Sequence, residues 1–418
     1  MPFESVIPAA PSPEQVRAAL RGTYIAFVGS GFAFASWASR IPQIRAHLHL
    51  SPERLGLVLL FVAAGSVTAL PLAGPVVHRL GAQRALKAMA ALLTVGLGTV
   101  AVGYLVGATP VVVGLFLFGF ANGAWDVAMN VQGALVERHV GRSIMARFHA
   151  GYSLGTVVGA LTGVVMVALR APVTAHLLVV AVGIGLIVSR GTRGFMHDAT
   201  GAGEPIEKAR QRGALAAWRE PRTIMIGLFV LAFAFAEGTG NDWISLATID
   251  GYRVPAAIGT LVYATFLSAM TFGRWFGPGL LDRHGHVPVI RVLAVIGIVG
   301  TLLLVFAPFV PLAFAGAALW GVGTSLGFPV GMSAGADEPQ YAAGRVSVIA
   351  SIGYCAFLAG PPSVGFLGQH IGVLRALTAV AVLLSIAMLM SSAVAPPQRQ
   401  RGMGSARSRK SLPEVGTD

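Results

Sequence analysis

Gly74-Pro-Val-Val-His78-Arg79-Leu-Gly81 and Gly277-Pro-Gly-Leu-Leu-Asp282-Arg283-His-Gly285 are two versions of one turn, and the distance between them decides the fold. Gly74-Pro75 returns as Gly277-Pro278 after 203 residues; Gly56 returns as Gly259 and Gly141-Arg142 as Gly344-Arg345 at the same offset. His78-Arg79-x-Gly81 returns as Asp282-Arg283-x-Gly285 at 204, one residue of slippage. A common offset at matching points is the mark of an internal duplication. Outward from each copy lie apolar runs, at roughly 22–45, 53–77, 85–107, 109–136, 143–169 and 171–189, then at 222–249, 255–281, 287–307, 310–335, 344–369 and 371–394. Each run is about the 20 residues that a helix needs to cross a bilayer. None alternates with the period of two that a membrane barrel requires, so helices form the spans. The pattern is six spans, a polar segment, then six more.

Composition agrees. Of 418 residues 55% are hydrophobic and 11% charged, and the mean hydropathy is +0.73. A soluble domain carries about 25% charged residues, so a soluble enzyme, a disordered chain and a coiled coil are excluded. The expected organisation is a short segment 1–21, a six-helix bundle 22–190, a linker 191–220, a second six-helix bundle 221–394, and a basic, disordered tail 395–418. The first run lacks the small-residue cleavage pattern of a secretory signal. Cys355, the sole cysteine, has no partner for a disulfide or a zinc site and reads as a small buried hydrophobe.

The net charge of +13 reports orientation, not a nucleic-acid partner. Of the 30 Lys and Arg residues, 23 fall at the N-terminus, in the even-numbered connections and in the tail. Six fall in the odd-numbered connections: Arg40, Arg45, Arg54, Arg170, Arg253 and Arg375. Arg274 lies within the eighth span. Positive residues collect on the cytoplasmic side, which predicts cytoplasmic termini and residence in the inner, cytoplasmic membrane.

Gly74-x-x-x-His78-Arg79-x-Gly81 with Arg84 resembles the loop 2–3 signature of the major facilitator superfamily, and Asp282-Arg283-x-Gly285 its second-half copy. His78 stands where the family has Asp, which weakens the loop salt bridge expected there. Longer stretches resemble the YbjJ-like bacterial inner-membrane proteins, distant relatives of the fucose–proton symporters: Trp37-Ala-Ser-Arg40-Ile-Pro42, Asn130-Val-Gln-Gly133-Ala-Leu-Val-Glu137-Arg138, His149-Ala-Gly-Tyr152-Ser-Leu-Gly155-Thr, Glu237-Gly-Thr-Gly-Asn241-Asp242-Trp243 and Gly327-Phe-Pro329. The resemblance implies two pseudo-symmetric six-helix bundles with a substrate site at mid-membrane between them, as parallel repeats give.

A charge at the centre of a span costs about 2.5–3.5 kcal/mol on insertion scales, so each intramembrane polar group needs a reason. In the fourth span Asn122, Asp126 and Asn130 share one helical stripe, with Trp125 adjacent. Asp126 lies about 18 Å from the end near Arg138 at the helical rise. A carboxylate there can gain and lose a proton as a vestibule opens to either side; its alternative role is to lock helix packing. The fifth span carries His149, which titrates near neutrality, with Tyr152, Ser153 and a glycine ladder (Gly151, Gly155, Gly159, Gly163) that suits close packing. In the seventh span Glu237 rivals Asp126 as the coupling carboxylate, one turn from Asn241, with Asp242 beyond it. Trp37 and Arg40 occupy the outer end of the first span. Arg40 either pairs with Glu237 or Asp242 across the halves or snorkels to the interface, and Arg274 must pair or snorkel.

The expected proton-coupling residues are therefore Asp126, Glu237 and His149. The expected substrate contacts are Asn122, Trp125, Asn130, Tyr152, Asn241 and Trp37, and the expected gating charges are Arg40, Asp242, Arg274, His78, Arg79, Asp282 and Arg283. No nucleotide-binding lysine loop, metal-ligand cluster or nucleophile elbow is present, so no cofactor, metal or catalytic residue is expected. The reading is an all-α secondary transporter, a monomer in the lipid bilayer, that moves a small solute by alternating access with protons. Symport of a sugar-like polar solute is favoured; drug or metabolite efflux is the alternative, and a transporter-like sensor or scaffold the alternative of another class.

Overall fold

The structure is a computed structural model and describes residues 11–141, 144–196 and 216–395. Residues 1–10, Arg142 of the repeated Gly-Arg pair with Ser143, linker positions 197–215 and the tail from 396 lie outside the described residues. Helices α1 (Pro13–Ala38), α2 (Ile41–His47), α3 (Pro52–Leu80), α4 (Ala82–Gly103), α5 (Ala108–Val140), α6 (Met145–Ala168) and α7 (Val173–Gly191) make the first half. The second half holds α8 (Pro221–Tyr252), α9 (Ala256–His284), α10 (His286–Phe306), α11 (Val310–Thr324), α12 (Gly327–Gly335), α13 (Pro339–Ile371), α14 (Val373–Ala376) and α15 (Thr378–Met390).

Among the described residues, eleven helical segments are long and apolar enough to span a membrane. The segment that falls short is α1. It has 26 residues, enough for a crossing, but Gly22, Thr23, Gly29, Ser30, Gly31 and Ser36 occupy its buried side. The expected run from 22 begins nine residues earlier because Ser12 caps the helix reciprocally with Gln15 and Pro13 sits at the first position. It ends at Ala38, and Pro42 restarts the chain as α2. The run expected at 310–335 is also two helices, broken at Ser325-Leu326. At this break Gly327 lies against the Phe233 ring of α8, where a Cβ would collide with the ring carbons.

The duplication read from the sequence is visible in the packing. In the first half α1 lies along α6, and α3 along α5; in the second half α8 lies along α13, and α9 along α11. The small residues at these seams let backbones touch: Gly119 faces the Val62 backbone and Gly155 the Val28 backbone, as Gly321 faces the Phe266 backbone. The halves meet through α3 with α13 and α6 with α9.

The face that carries the start of α1 and the end of α15 is here the terminal face, and its opposite the far face. Near the far face α3 and α9 are buried on several sides, through Leu55, Gly56, Val58 and Leu59 and through Thr260, Val262, Tyr263 and Ala264. Towards the terminal face each keeps a single buried stripe, Ala69, Ala73 and Val77 on α3, Gly273 and Gly277 on α9. The two halves are therefore seated on each other at the far face and diverge towards the terminal face.

Candidate functional site

A cavity of about 1030 Å³, open space included, lies between the halves. Its walls come from α1 (Phe34), α3 (Leu59 to Leu70), α5 (Asn122, Gly123, Asp126), α6 (Tyr152), α8 (Glu237, Gly238, Asn241, Asp242) and α13 (Tyr354, Phe357, Pro361). It sits midway along α5 and α8, so its depth is mid-membrane.

On the first-half wall the four-residue spacing puts Asn122 and Asp126 on the cavity stripe. Asn122 Oδ1 accepts from Ser30 Oγ at 2.9 Å, which ties α5 to α1. Asn130 does not line the cavity. It sits one turn below Asp126 and donates from Nδ2 to the Asp126 carbonyl at 2.8 Å and to its Oδ1 at 3.2 Å. Among the described residues the Asp126 carboxylate thus has an amide partner but no cation.

On the second-half wall Glu237 Oε2 accepts from Arg274 Nη2 at 2.7 Å, and both side chains are about one-fifth to one-quarter exposed (19% and 25%). Arg274 is held at its other edge as well: Nε donates at 3.3 Å to the Ser325 carbonyl. That carbonyl lies at the break between α11 and α12, where helix hydrogen bonding is interrupted. Asn241 donates to the Glu237 carbonyl at 3.0 Å, and its Oδ1 accepts from Tyr263 at 3.4 Å. Asp242 lines the cavity with no hydrogen bond or ion pair among the described residues. Tyr152, crossing from the first half, is within electrostatic reach of Asp126, Glu237 and Arg274 together.

Other candidates go elsewhere. Trp125 is fully buried and donates from Nε1 to the Ala26 carbonyl at 3.2 Å, and Trp37 is buried in the first-half core. Neither reaches the cavity, because α5 and α1 turn those positions towards neighbouring helices. His149 is not among the lining residues; it stands edge-on to Phe27 with ring centroids 5.1 Å apart, within electrostatic reach of Arg274. Arg40 departs from both expected fates. It is buried at 1% exposure and donates from Nε to His176 Nδ1 at 2.8 Å, inside its own half. An ion pair that does cross between the halves, Arg45 to Asp250 at 2.6 Å, joins α2 to the end of α8 at the far face. Beside it Gly56 lies against the Pro361 carbonyl and Gly365 against the Pro52 carbonyl. His78, Arg79, Asp282 and Arg283 are exposed at the terminal ends of α3 and α9.

Tyr354 and Phe357 escaped the sequence reading although a signal was present. Gly151-Tyr152 recurs as Gly353-Tyr354 at an offset of 202, and both tyrosines line the cavity from opposite halves. Ser66 of α3 is a further wall residue, its Oγ donating to the Gly119 carbonyl at 2.9 Å.

Compared with known proteins, residues 23–361 match the sequence profile of the Major Facilitator Superfamily. The chain belongs to that superfamily. An uncharacterised transporter, y4wD, of Sinorhizobium fredii (strain NBRC 101917 / NGR234) is 30% identical over 356 residues, which cover 84% of this chain and 91% of that protein. Crystal structures share the fold at low identity. A substituted form of the nucleoside transporter NupG aligns with a TM-score of 0.74 at 14% identity over 90% of this chain and 98% of its own. The E. coli fucose:proton symporter FucP aligns with a TM-score of 0.56, also at 14% identity, over 89% of this chain and 98% of its own. This superfamily member is a multi-pass membrane transporter, not an enzyme.

Proposed function

We propose that the protein is a proton-coupled secondary transporter of the bacterial inner membrane that imports a small polar solute, with Asp126 as the group that takes and releases the proton. The observation that carries this reading is a cavity between the halves with a carboxylate, Asp126, on its first-half wall that meets an amide but no cation among the described residues. Glu237 is the weaker choice, because Arg274 already neutralises it. A carboxylate whose partner is an amide can be neutralised by a proton without stranding a buried cation.

The charge count favours a cytoplasmic terminal face; in that orientation the structure is the inward-facing member of an alternating-access cycle. Its outer side is held shut by the seating of Gly56 on Pro361 and of Gly365 on Pro52, and by Arg45 with Asp250. Rocking the halves about the central site opens that side and closes the other. The protein works as a monomer in this reading, since each chain contains both walls of its cavity. Asn122, Asn241, Tyr152 and Ser66 supply the hydrogen-bonding groups that a polar solute needs.

The test uses proteoliposomes that contain a trapped pH dye and are challenged with polar solutes chosen by thermal shift on the purified protein, where binding raises stability. Addition of a carried solute acidifies the lumen for the natural sequence. Asp126→Asn still binds the solute but gives no acidification. Full proton coupling in Asp126→Asn removes Asp126 from the role.

A further inference from the structure

The charges of the cavity do not balance. Asp126, Glu237 and Asp242 contribute three carboxylates to its walls, and no Lys, Arg or His is among the described lining residues. Arg274 reaches in from α9 and neutralises Glu237. Asp126 and Asp242 are left, on α5 and α8, facing one space from opposite halves. Two carboxylates that face one cavity repel, and each pays for the hydration that the cavity walls displace. A proton on Asp126 relieves one of them, and this step rests on the function proposed above. Asp242 remains, with no donor or cation against it among the described residues.

The class of solute follows from what each would do there. An anionic solute adds a second negative charge beside Asp242. A neutral polar solute leaves Asp242 to be met by a second proton. A solute with one positive charge completes the balance, and the other walls suit it. Phe34, Tyr152, Tyr354 and Phe357 line the same space, and ring faces attract cations where water is excluded. We propose that the solute is a small polar organic cation, a protonated amine on a hydroxylated frame, whose ammonium group is held by Asp242.

In that arrangement the two unpaired carboxylates have separate tasks. Asp242, on the second-half wall, holds the charge of the cargo, while Asp126, on the first-half wall, exchanges the proton. Cargo and proton then occupy different carboxylates, so both can be aboard together. Asn122, anchored by one hydrogen bond to its own half, and Asn241, anchored by two, keep amide N–H groups for the hydroxyls of the frame.

The experiment reads the charge preference of the cavity whatever the cargo is. In a Cys355→Ser background, Ala63→Cys introduces a single thiol on the α3 wall of the cavity. It is labelled with a trimethylammonium-ethyl and a sulfonatoethyl methanethiosulfonate, with rates normalised to a free thiol. The cationic reagent is expected to react about tenfold faster or more, the gain that a cleft of one sign gives an oppositely charged ligand. Asp242→Asn is expected to remove most of that preference, and Asp242→Glu to restore it. Protection of the thiol is then compared within matched sets: ethanolamine, ethylene glycol and glycolate; glucosamine, glucose and glucuronate; tyramine, tyrosol and 4-hydroxyphenylacetate. At least one amine should protect better than its neutral and acidic partners, and Asp242→Asn should abolish its advantage. A cavity indifferent to reagent charge, a preference unchanged in Asp242→Asn, or no amine that protects best in its set overturns the proposal. Loss of proton coupling with amine protection intact would overturn the role of Asp126 and leave this inference standing.

Discussion

Arg40 shows what a single residue can hide. A guanidinium buried to 1% exposure with a neutral imidazole as its partner has no carboxylate to compensate it among the described residues, and His176 must accept at Nδ1 to serve it. Removing the acceptor alone strands the charge. His176→Leu is expected to lower stability in detergent by about 1.5–3 kcal/mol, the cost of an unmet hydrogen bond to a charged group. The double change Arg40→Met with His176→Leu should recover most of it, since apolar replacement of a buried polar pair is often close to neutral; equal losses in the two variants would remove the pair from that role. Outside the membrane spans, Glu220 gives a pH signature. Partial burial alone would raise its pKa, but hydrogen bonds from Arg345 Nε at 2.6 Å and Thr223 at 2.9 Å, with the Arg345 and Arg222 charges, bring it below the ordinary glutamate value. A carboxyl with a depressed folded pKa stabilises the protein above its unfolded pKa, and that contribution fades as pH falls through the folded pKa. Thermal stability should therefore decline on acidification below about pH 4.3, and Glu220→Gln should flatten that part of the curve. Asp126 and Glu237 were legible in the sequence because an intramembrane charge is rare and costly. The partner of Arg40 was not, because 136 residues separate it from His176 and no local spacing brings them together.

Among the elements, α3 carries two glycines with opposite demands. Gly56 seats against α13, where an added Cβ would fall on the Pro361 carbonyl, and a backbone atom has no rotamer by which to yield. Gly74 meets nothing within 4 Å. Gly56→Ala should lower the thermal stability of this form, closed at the far face, by about 1–3 kcal/mol, as overpacking does. Gly74→Ala should stay within about 0.5 kcal/mol or gain slightly, because Ala is the better helix former. Equal effects at both sites would mean that the α3–α13 seam is not closed as described. The sequence located these helices well, since apolar runs and their offset of 203 residues need only composition and order. It could not say which face of α1 or α5 looks into the cavity. The α5 helix is apolar nearly all round and α1 buries Thr23, Ser30 and Ser36, so amphipathicity, the usual guide to facing, does not point to the cavity, and Trp37 and Trp125 read as cavity aromatics although they are buried against neighbouring helices. The break at Ser325 was equally invisible, because its reason lies in Phe233 and Arg274 on other helices.

At the scale of the whole molecule, the magnitudes decide what holds the far face shut. Arg45 and Asp250 are 21% and 38% exposed, and an ion pair in that setting is worth about 0.2–1 kcal/mol. Asp250→Asn should therefore shift the balance of inward and outward forms by no more than about fivefold. The backbone seating of Gly56 and Gly365 is a matter of excluded volume over a whole helix pair, and Gly56→Val cannot be accommodated without separating α3 from α13. Rigid halves that rock about a central cavity must then move both faces at once. Spin labels on the Cys355→Ser protein at Arg54 and Arg375, exposed near the far ends of α3 and α13, report one face, and labels at Arg79 and Arg283 report the other. Gly56→Val should lengthen the first distance and shorten the second in the same preparation, with Asp250→Asn moving both the same way by much less. A variant in which the far-face distance lengthens while the terminal-face distance stays fixed would mean that the halves bend instead of rock, and the central carboxylates would then sit on a deforming wall, not at a fixed pivot.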